Sequence, residues 1–531
     1  MKAAWLKSLF ALALLGLSSA LWAKIQMPKI FGDNMVLQRD CQIAIWGSAA
    51  AGAEIRVEFK GQKAYAIADS NGKWKLFLGQ LWADSEPAAM QIFEDGKLGA
   101  EIKNILVGEV WIVGGQSNME WTIRRSHGFE KVKKRAAYPC IRYFSQNSSA
   151  VASMPQEDSP SGASWLVCSP ENVGNFSGVA FFFAEEMFKN LDLPIGLVYT
   201  ACGATEMASW IPWGFSSKLQ WLDSYVKSFE REKSQYSRSE YEKRAKEFRA
   251  RMDKFNADKK AAKAAGKPEP KMKWIDTVPP HKLTPWPYFK SPGMHYNAKV
   301  APIAGYAARG VLWYQGEADS DTSEHVAHFE ENFKLLIESW RSVFNNPKMP
   351  FIFAQLPSFS INQDWVGVRK AQASAAKNSD EVYMVCLIDC GEKNNIHPAD
   401  KATVGLRMCR QAANKILAKK IVISDSPELK EVKYKASHAV VSFETFYSKL
   451  EGIGDARGFE ILAGGKWKPC IAKLSGPCSV DISSPDGERI DGVRYLWKNW
   501  ARPDVWLYNT EKLPAAPFED LKNKEENNEI K

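Results

Sequence analysis

Ser117 sits in the stretch NILVGEVWIVGGQSNMEW, residues 104–121. An apolar run from Val110 to Val113 breaks on Gly114 and Gly115, then delivers Gln116, Ser117 and Asn118 without apolar cover. Open α/β sheets bind ligands beyond the carboxyl ends of their strands, so a hydroxyl placed there suits a nucleophile. Acyl transfer needs two further things: a base, and donors aimed at the developing oxyanion. The chain has seven histidines (His127, His281, His295, His325, His328, His397 and His438). Only His397 falls in a short loop after a late strand of the expected sheet, within DCGEKNNIHPAD, and it is the favoured base. The backbone N–H groups of Ser117 and Gly203, with the side-chain amide of Gln315, are the candidate oxyanion donors. Gln116, Asn118 and Glu317 are candidate substrate ligands. For the first two, bracing of the Ser117 loop is the stronger reading, and loop closure is the structural alternative for Gln315 and Glu317. The flanks of Ser117 do not form the nucleophile elbow G-x-S-x-G, because Met119 holds the last position.

These residues require a sheet that brings distant segments to one rim. From residue 105 to about 422, apolar strand-like runs alternate with helical segments: EVWIVGG, PIGLVYTACG, GVLWYQGEA, PFIFAQLPSF and YMVCLIDCG are the strands. That rhythm predicts a doubly wound, mostly parallel sheet. Four of its strand ends are small and polar: Ser117, Thr200–Thr205, Tyr314–Asp321 and Asp389–Asp400. An insertion at about 216–292 interrupts the pattern, helical and charged first, Pro-rich afterwards. Short alternating runs before it predict a β-sandwich-like domain over 24–104, and similar runs predict a second β domain over 423–531. Trp121, Trp210 and Trp313 could line a sugar pocket, but core packing is the safer reading.

Four segments carry a resemblance. GGQSNMEW, GLVYTACGATEMASW, GVLWYQGEAD and NNIHPADKATVG resemble the sialate O-acetylesterase family, within the SGNH or GDSL-like esterases. IFGDNMVLQRD near the amino end and VRYLW with LYNTEKLPAAPF near the carboxyl end look like that family's opening and closing segments. The resemblance implies an α/β, flavodoxin-like SGNH hydrolase domain with appended β domains. It implies a serine esterase that removes O-acetyl groups from sugars, classically sialic acid, without a metal or organic cofactor. By motif, Ser117 would be the nucleophile, Gly203 and Gln315 oxyanion donors, and His397 the catalytic histidine. Two departures stand out. Gly203-Ala204 replaces a Gly-Gly pair, and Asn394 stands where SGNH enzymes usually carry Asp three residues before the histidine. An amide orients imidazole but cannot stabilise imidazolium as a charge does. The third member is therefore open between Asn394 itself and Asp389, Glu392 or Asp319. Acetylated xylan or another acetylated glycan is the alternative substrate. A glycan-binding protein with weak catalysis is the alternative from a different class.

Bulk properties set the remaining bounds. The 531 residues exceed one core, and 45% hydrophobic with 25% charged content is that of a globular protein. Residues 1–23 read as a signal peptide: Lys2 and Lys7, an apolar SLFALALLGL too short to span a bilayer, and a small residue, Ala23. No other run is long enough to cross a membrane, so the expectation is a secreted or periplasmic protein. Export permits disulfides. Cys470 and Cys478, eight apart across an expected hairpin, are the candidates for a bridge, with two buried thiols as the alternative. No nucleic-acid motif is present, and the net charge of +9 sits almost wholly in residues 227–273, which hold 16 Lys and Arg against 8 Asp and Glu. That is the pattern of one solvated helical insertion, with a patch that attracts acidic glycans as the minor reading. His325 and His328, three apart on a helix, point to a metal only weakly.

Overall fold

One strand of 19 residues, β1 (Lys97–Gly115), links the amino-terminal β region to the central sheet. In the computed structural model, which describes residues 25–235, 237–272, 290–418, 422–452, 457–503 and 506–522, the expected boundary at 104/105 falls inside this strand. The expected signal peptide, His281 and most of the Pro-rich half of the insertion lie outside the described residues, as does the polar tail from 523. The first part of β1 pairs antiparallel with Asp84–Glu94. Its second part, buried from Ile105 onward, forms the middle of the central sheet. A strand covered on both faces has no use for polar alternation, which is why Val110–Val113 reads as an unbroken apolar run. The one charge there, Glu109, is fully buried and held by Arg39 and Arg309 at 2.6 and 2.8 Å.

The other central strands are β2 (Tyr138–Ser145), β3 (Ser164–Cys168), β4 (Ile195–Tyr199), β5 (Gly310–Tyr314), β6 (Phe351–Ala354) and β7 (Val382–Val385). Their spatial order is β7-β6-β5-β1-β4-β2-β3. All neighbours run parallel except β2 and β3. The chain builds the β4 side of β1 first and then crosses to β5, so the switch point lies at the carboxyl end of β1, where such sheets open a crevice. Helices cover both faces. α1 (Ser117–Glu120) follows β1; α2 (Gly178–Leu191), α3 (Ser323–Val343), α4 (Trp365–Lys377) and α5 (Ala402–Gln411) supply the layers. α2 and α5 share one apolar cluster with Trp111, Val113 and Leu197. α3 and α4 share the other with Val110, Ile112 and the amino-terminal β region.

The insertion carries two helices, Gln220–Ser234 and Arg238–Ala264. The first buries Leu222, Val226 and Phe229, while the second buries nothing, as its charge pattern requires. At the carboxyl end, two four-stranded antiparallel sheets close over one core that includes Val441, Phe459, Val480, Val493 and Tyr495. Here the cysteine expectation fails. Ile471–Gly476 and Ser479–Ser483 form the hairpin, with Gly476 paired to Ser479 and Ile471 to Ser483. Cys478 therefore sits in the turn and Cys470 at the open end, so the two sulfurs cannot meet, and both are free thiols. Trp210 and Trp313 are core residues, fully buried and packed edge to face at 5.9 Å.

Candidate active site

β1 ends on a backbone that only glycine accommodates. Gly115 has φ +124°, and a Cβ there would lie 2.1 Å from the Tyr314 carbonyl oxygen. This close approach lets Gln116 N–H bond the Tyr314 carbonyl at 2.8 Å and starts α1 at Ser117. The Gln116 side chain turns inward, and its Oε1 accepts the N–H groups of Gly316 and Ala318. It braces the loop after β5 against the nucleophile loop. Ser117 is partly exposed, its hydroxyl makes no side-chain hydrogen bond among the described residues, and its N–H opens a helix and so has no partner within it.

The loop after β4 brings Gly203 against Ser117. A Cβ on Gly203 would stand 3.2 Å from the Ser117 Cβ, so a glycine is needed for this contact. The next residue, Ala204, has φ +58°, a left-handed conformation that costs a non-glycine residue free energy. Gly203 N–H points into the site, and the Glu120 carboxylate accepts it at 2.6 Å. A carboxylate oxygen thus holds one of the three expected oxyanion donors. Glu120 was not legible in the sequence; its position three residues after Ser117 on a one-turn helix turns it to the same side.

His397 arrives on the loop between β7 and α5. Asn118, beside Ser117, donates to the carbonyl of Ile396 at 3.0 Å, so the segments of the hydroxyl and the imidazole are joined one residue from each. The ring of Trp121 stacks on that of His397 at 5.0 Å and 23°. Trp121 is therefore a site residue rather than a core one. Asn394 is exposed and forms no side-chain hydrogen bond among the described residues; its neighbour Asn395 clamps the loop, accepting His397 N–H and donating to Glu392. The carboxylates weighed as replacements are committed elsewhere. Asp389 grips Arg407 with both oxygens. Glu392 accepts from Asn395 and from Ala399 N–H. Asp319 accepts Met207 N–H and the Gln315 amide. The imidazole meets cations instead: burial, Lys401 and Arg125 together pull its pKa down to about 4.

Gln315 is buried, and its amide donates to the Thr205 carbonyl and to Asp319, tying the loop after β5 to the loop after β4. Glu317 is buried as well, accepting the Asn118 amide at 2.6 Å, while Lys401 donates to the oxygen of the same amide at 2.6 Å. Asn118 is the hinge of a buried Lys401–Asn118–Glu317 chain beneath the hydroxyl. Burial pushes Glu317 up to about 7 and Lys401 down to about 7. Neither Lys401 nor the exposed Arg125 stood out by type or spacing. His325 bonds Asp321 at 2.9 Å, and with Glu206 the three could gather around a cation. The amine of Lys290 stands there, 3.1 Å from Glu206 and 3.5 Å from Asp321. His328 bonds Glu331 and stacks on Trp221.

Comparison with known proteins agrees with this architecture. The chain is 25% identical to the sialate O-acetylesterase of Mus musculus over 92% of both chains, and 22% identical to that of Homo sapiens over 92% of this chain and 90% of the other. Its fold is similar to that of a carbohydrate acetylesterase from Xanthomonas citri, with a TM-score of 0.75, 24% identity, and coverage of 93% of this chain and 99% of that one. The family described as carbohydrate esterase, sialic acid-specific acetylesterase matches residues 107–258 and 287–416, a span that contains Ser117, Gly203, Gln315 and His397. The chain belongs to this carbohydrate esterase family.

Proposed function

We propose that the protein is a serine esterase that removes O-acetyl groups from sugars, with O-acetylated sialic acid as the leading substrate. The observation that supports the reading is the junction of Asn118 with Ile396, which ties together the segments one residue from Ser117 and one residue from His397. In this reading His397 takes the Ser117 proton as the hydroxyl oxygen attacks the acetyl carbonyl. The N–H groups of Ser117 and Gly203 receive the oxyanion once Glu120 has left Gly203. His397 then protonates the departing sugar alkoxide, and water, deprotonated by the same ring, releases acetate from Ser117. The pair works without a carboxylate on the ring, so Trp121 and the backbone clamp of Asn395 orient the imidazole. The leader-like segment 1–23 supports action outside the cytoplasm.

The test is acetate release from O-acetylated sialic acid beside acetylated xylan, with the deacetylated sugar identified. Release from sialic acid supports the reading. Release from xylan alone overturns the substrate and leaves the Ser117 chemistry standing.

A further inference from the structure

An exposed cation, Arg125, stands beside the histidine loop. The guanidinium of Arg125 lies 3.5 Å over the Trp121 ring, and the Trp121 indole donates to the Arg125 carbonyl at 2.9 Å. Trp121 in turn stacks on His397. The same segment is pinned to the histidine loop by His127 N–H bonding the Ala399 carbonyl at 2.9 Å. Arg125 is exposed, and no carboxylate pairs with it among the described residues.

Among the described residues, five acidic groups around this corner already have partners. Glu120 holds Gly203 N–H, Glu317 holds Asn118, and Glu392 holds Asn395 and Ala399. Asp389 holds Arg407, and Asp400 caps α5 through Thr403. From the other side, Lys401 adds a second positive charge, buried and bonded to Asn118. His397 must become imidazolium in the transition state, and it must do so between two cations with no counter-charge of its own. The cost of that step falls if something negative arrives with the substrate.

We infer that Arg125 binds a carboxylate on the sugar being deacetylated, and that this carboxylate serves His397 as the counter-charge the chain does not supply. The inference rests on the reading that Ser117 and His397 deacetylate sugars, and it goes further by assigning the residue that binds the substrate's carboxylate and that carboxylate's part in catalysis. Its chemistry is an ion pair. A guanidinium presents its donors in a planar fork that fits a carboxylate with two parallel bonds. Stacking on Trp121 holds that fork in one plane and limits the side-chain freedom lost on binding. No bond is made or broken at Arg125.

The experiment compares two sugars that differ only at the carboxyl group: O-acetylated sialic acid with a free carboxylate, and the same sugar as its carboxyl methyl ester. For the unaltered protein, kcat/KM on the free acid should exceed that on the methyl ester at least about tenfold. In Arg125→Gln the ratio should fall to near one, and in Arg125→Lys it should stay between these limits. The pH profile adds a readout that a structural role would not move. The acid limb of kcat should lie at higher pH for the free acid than for the methyl ester, because the bound carboxylate makes His397 more basic. Equal rates on the two sugars, or a preference that survives Arg125→Gln, overturns the inference while leaving deacetylation intact. Turnover of neither sugar overturns the functional reading, and the inference with it.

Discussion

The carboxylate of Glu120 accepts the backbone N–H of Gly203 at 2.6 Å, on the side of the loop that faces Ser117. A tetrahedral intermediate places its negative oxygen where such donors point. In the proposed mechanism Glu120 therefore stands where the oxyanion would lie, and the substrate has to displace it. Replacing it by alanine removes both a competitor for the donor and a like charge next to the oxyanion. Glu120→Ala should raise kcat/KM on p-nitrophenyl acetate several-fold, measured by initial rates. A fall instead would show that the carboxylate positions the Gly203 loop.

The electrostatics of His397 give a pH signature. Its pKa is lowered to about 4, chiefly by burial and then by Lys401 and Arg125, so the neutral, basic form prevails above that value. On an uncharged ester, kcat/KM should rise between about pH 3 and 5 and then stay flat to neutrality. An acid limb near the usual histidine value would contradict this. Arg125→Gln removes one of the depressing charges and should move the limb upward, because a nearby cation disfavours the imidazolium and its loss lifts that penalty.

Glu317 predicts a pH-dependent stability. Burial raises its folded pKa to about 7 from the usual carboxylate value near 4.5, so the folded state holds this proton more tightly than the unfolded chain. The unfolded state then binds fewer protons between these values, and stability falls as pH rises through the window. Glu317→Gln keeps an acceptor for Asn118 and removes the titration. Urea unfolding at pH 5 and pH 7 should show a smaller loss in the variant than in the unaltered protein. An equal loss in both would assign the effect to another group.

Ala204 predicts a gain. Its φ of +58° disfavours any side chain with a Cβ. Ala204→Gly should stabilise the protein by about 1 kcal/mol, read as a higher denaturant midpoint at unchanged slope.

Much of the scaffold could be read from residue types. Unbroken apolar runs followed by polar residues signalled buried strands of one sheet, and β1, β4 and β5 bear this out. The long reach of β1 escaped, because Lys97–Asn104 alternates like any edge hairpin and carries no mark of continuing into the sheet. At the site, motif position announced Ser117 and His397, while orientation did not. Gln315 faces Thr205 and Asp319, and Asn394 faces solvent, because neighbours distant in sequence decide where an amide turns. Trp121 and Trp313 are the same residue type, yet the first meets a histidine ring while the second packs in the core. Lys401 and Arg125 look like ordinary surface charges until the fold sets both against His397.

The central claim is that Ser117 carries the acetyl group between sugar and water. It is tested most directly by acid-quenching the protein during turnover of an O-acetylated sugar and locating acetyl groups on its peptides by mass spectrometry. The account predicts acetyl on the peptide bearing Ser117, none there in Ser117→Ala, and a loss of turnover in that variant of at least about a thousandfold. Undiminished acetate release by Ser117→Ala, with no acetyl found on that peptide in the unaltered protein, would contradict it.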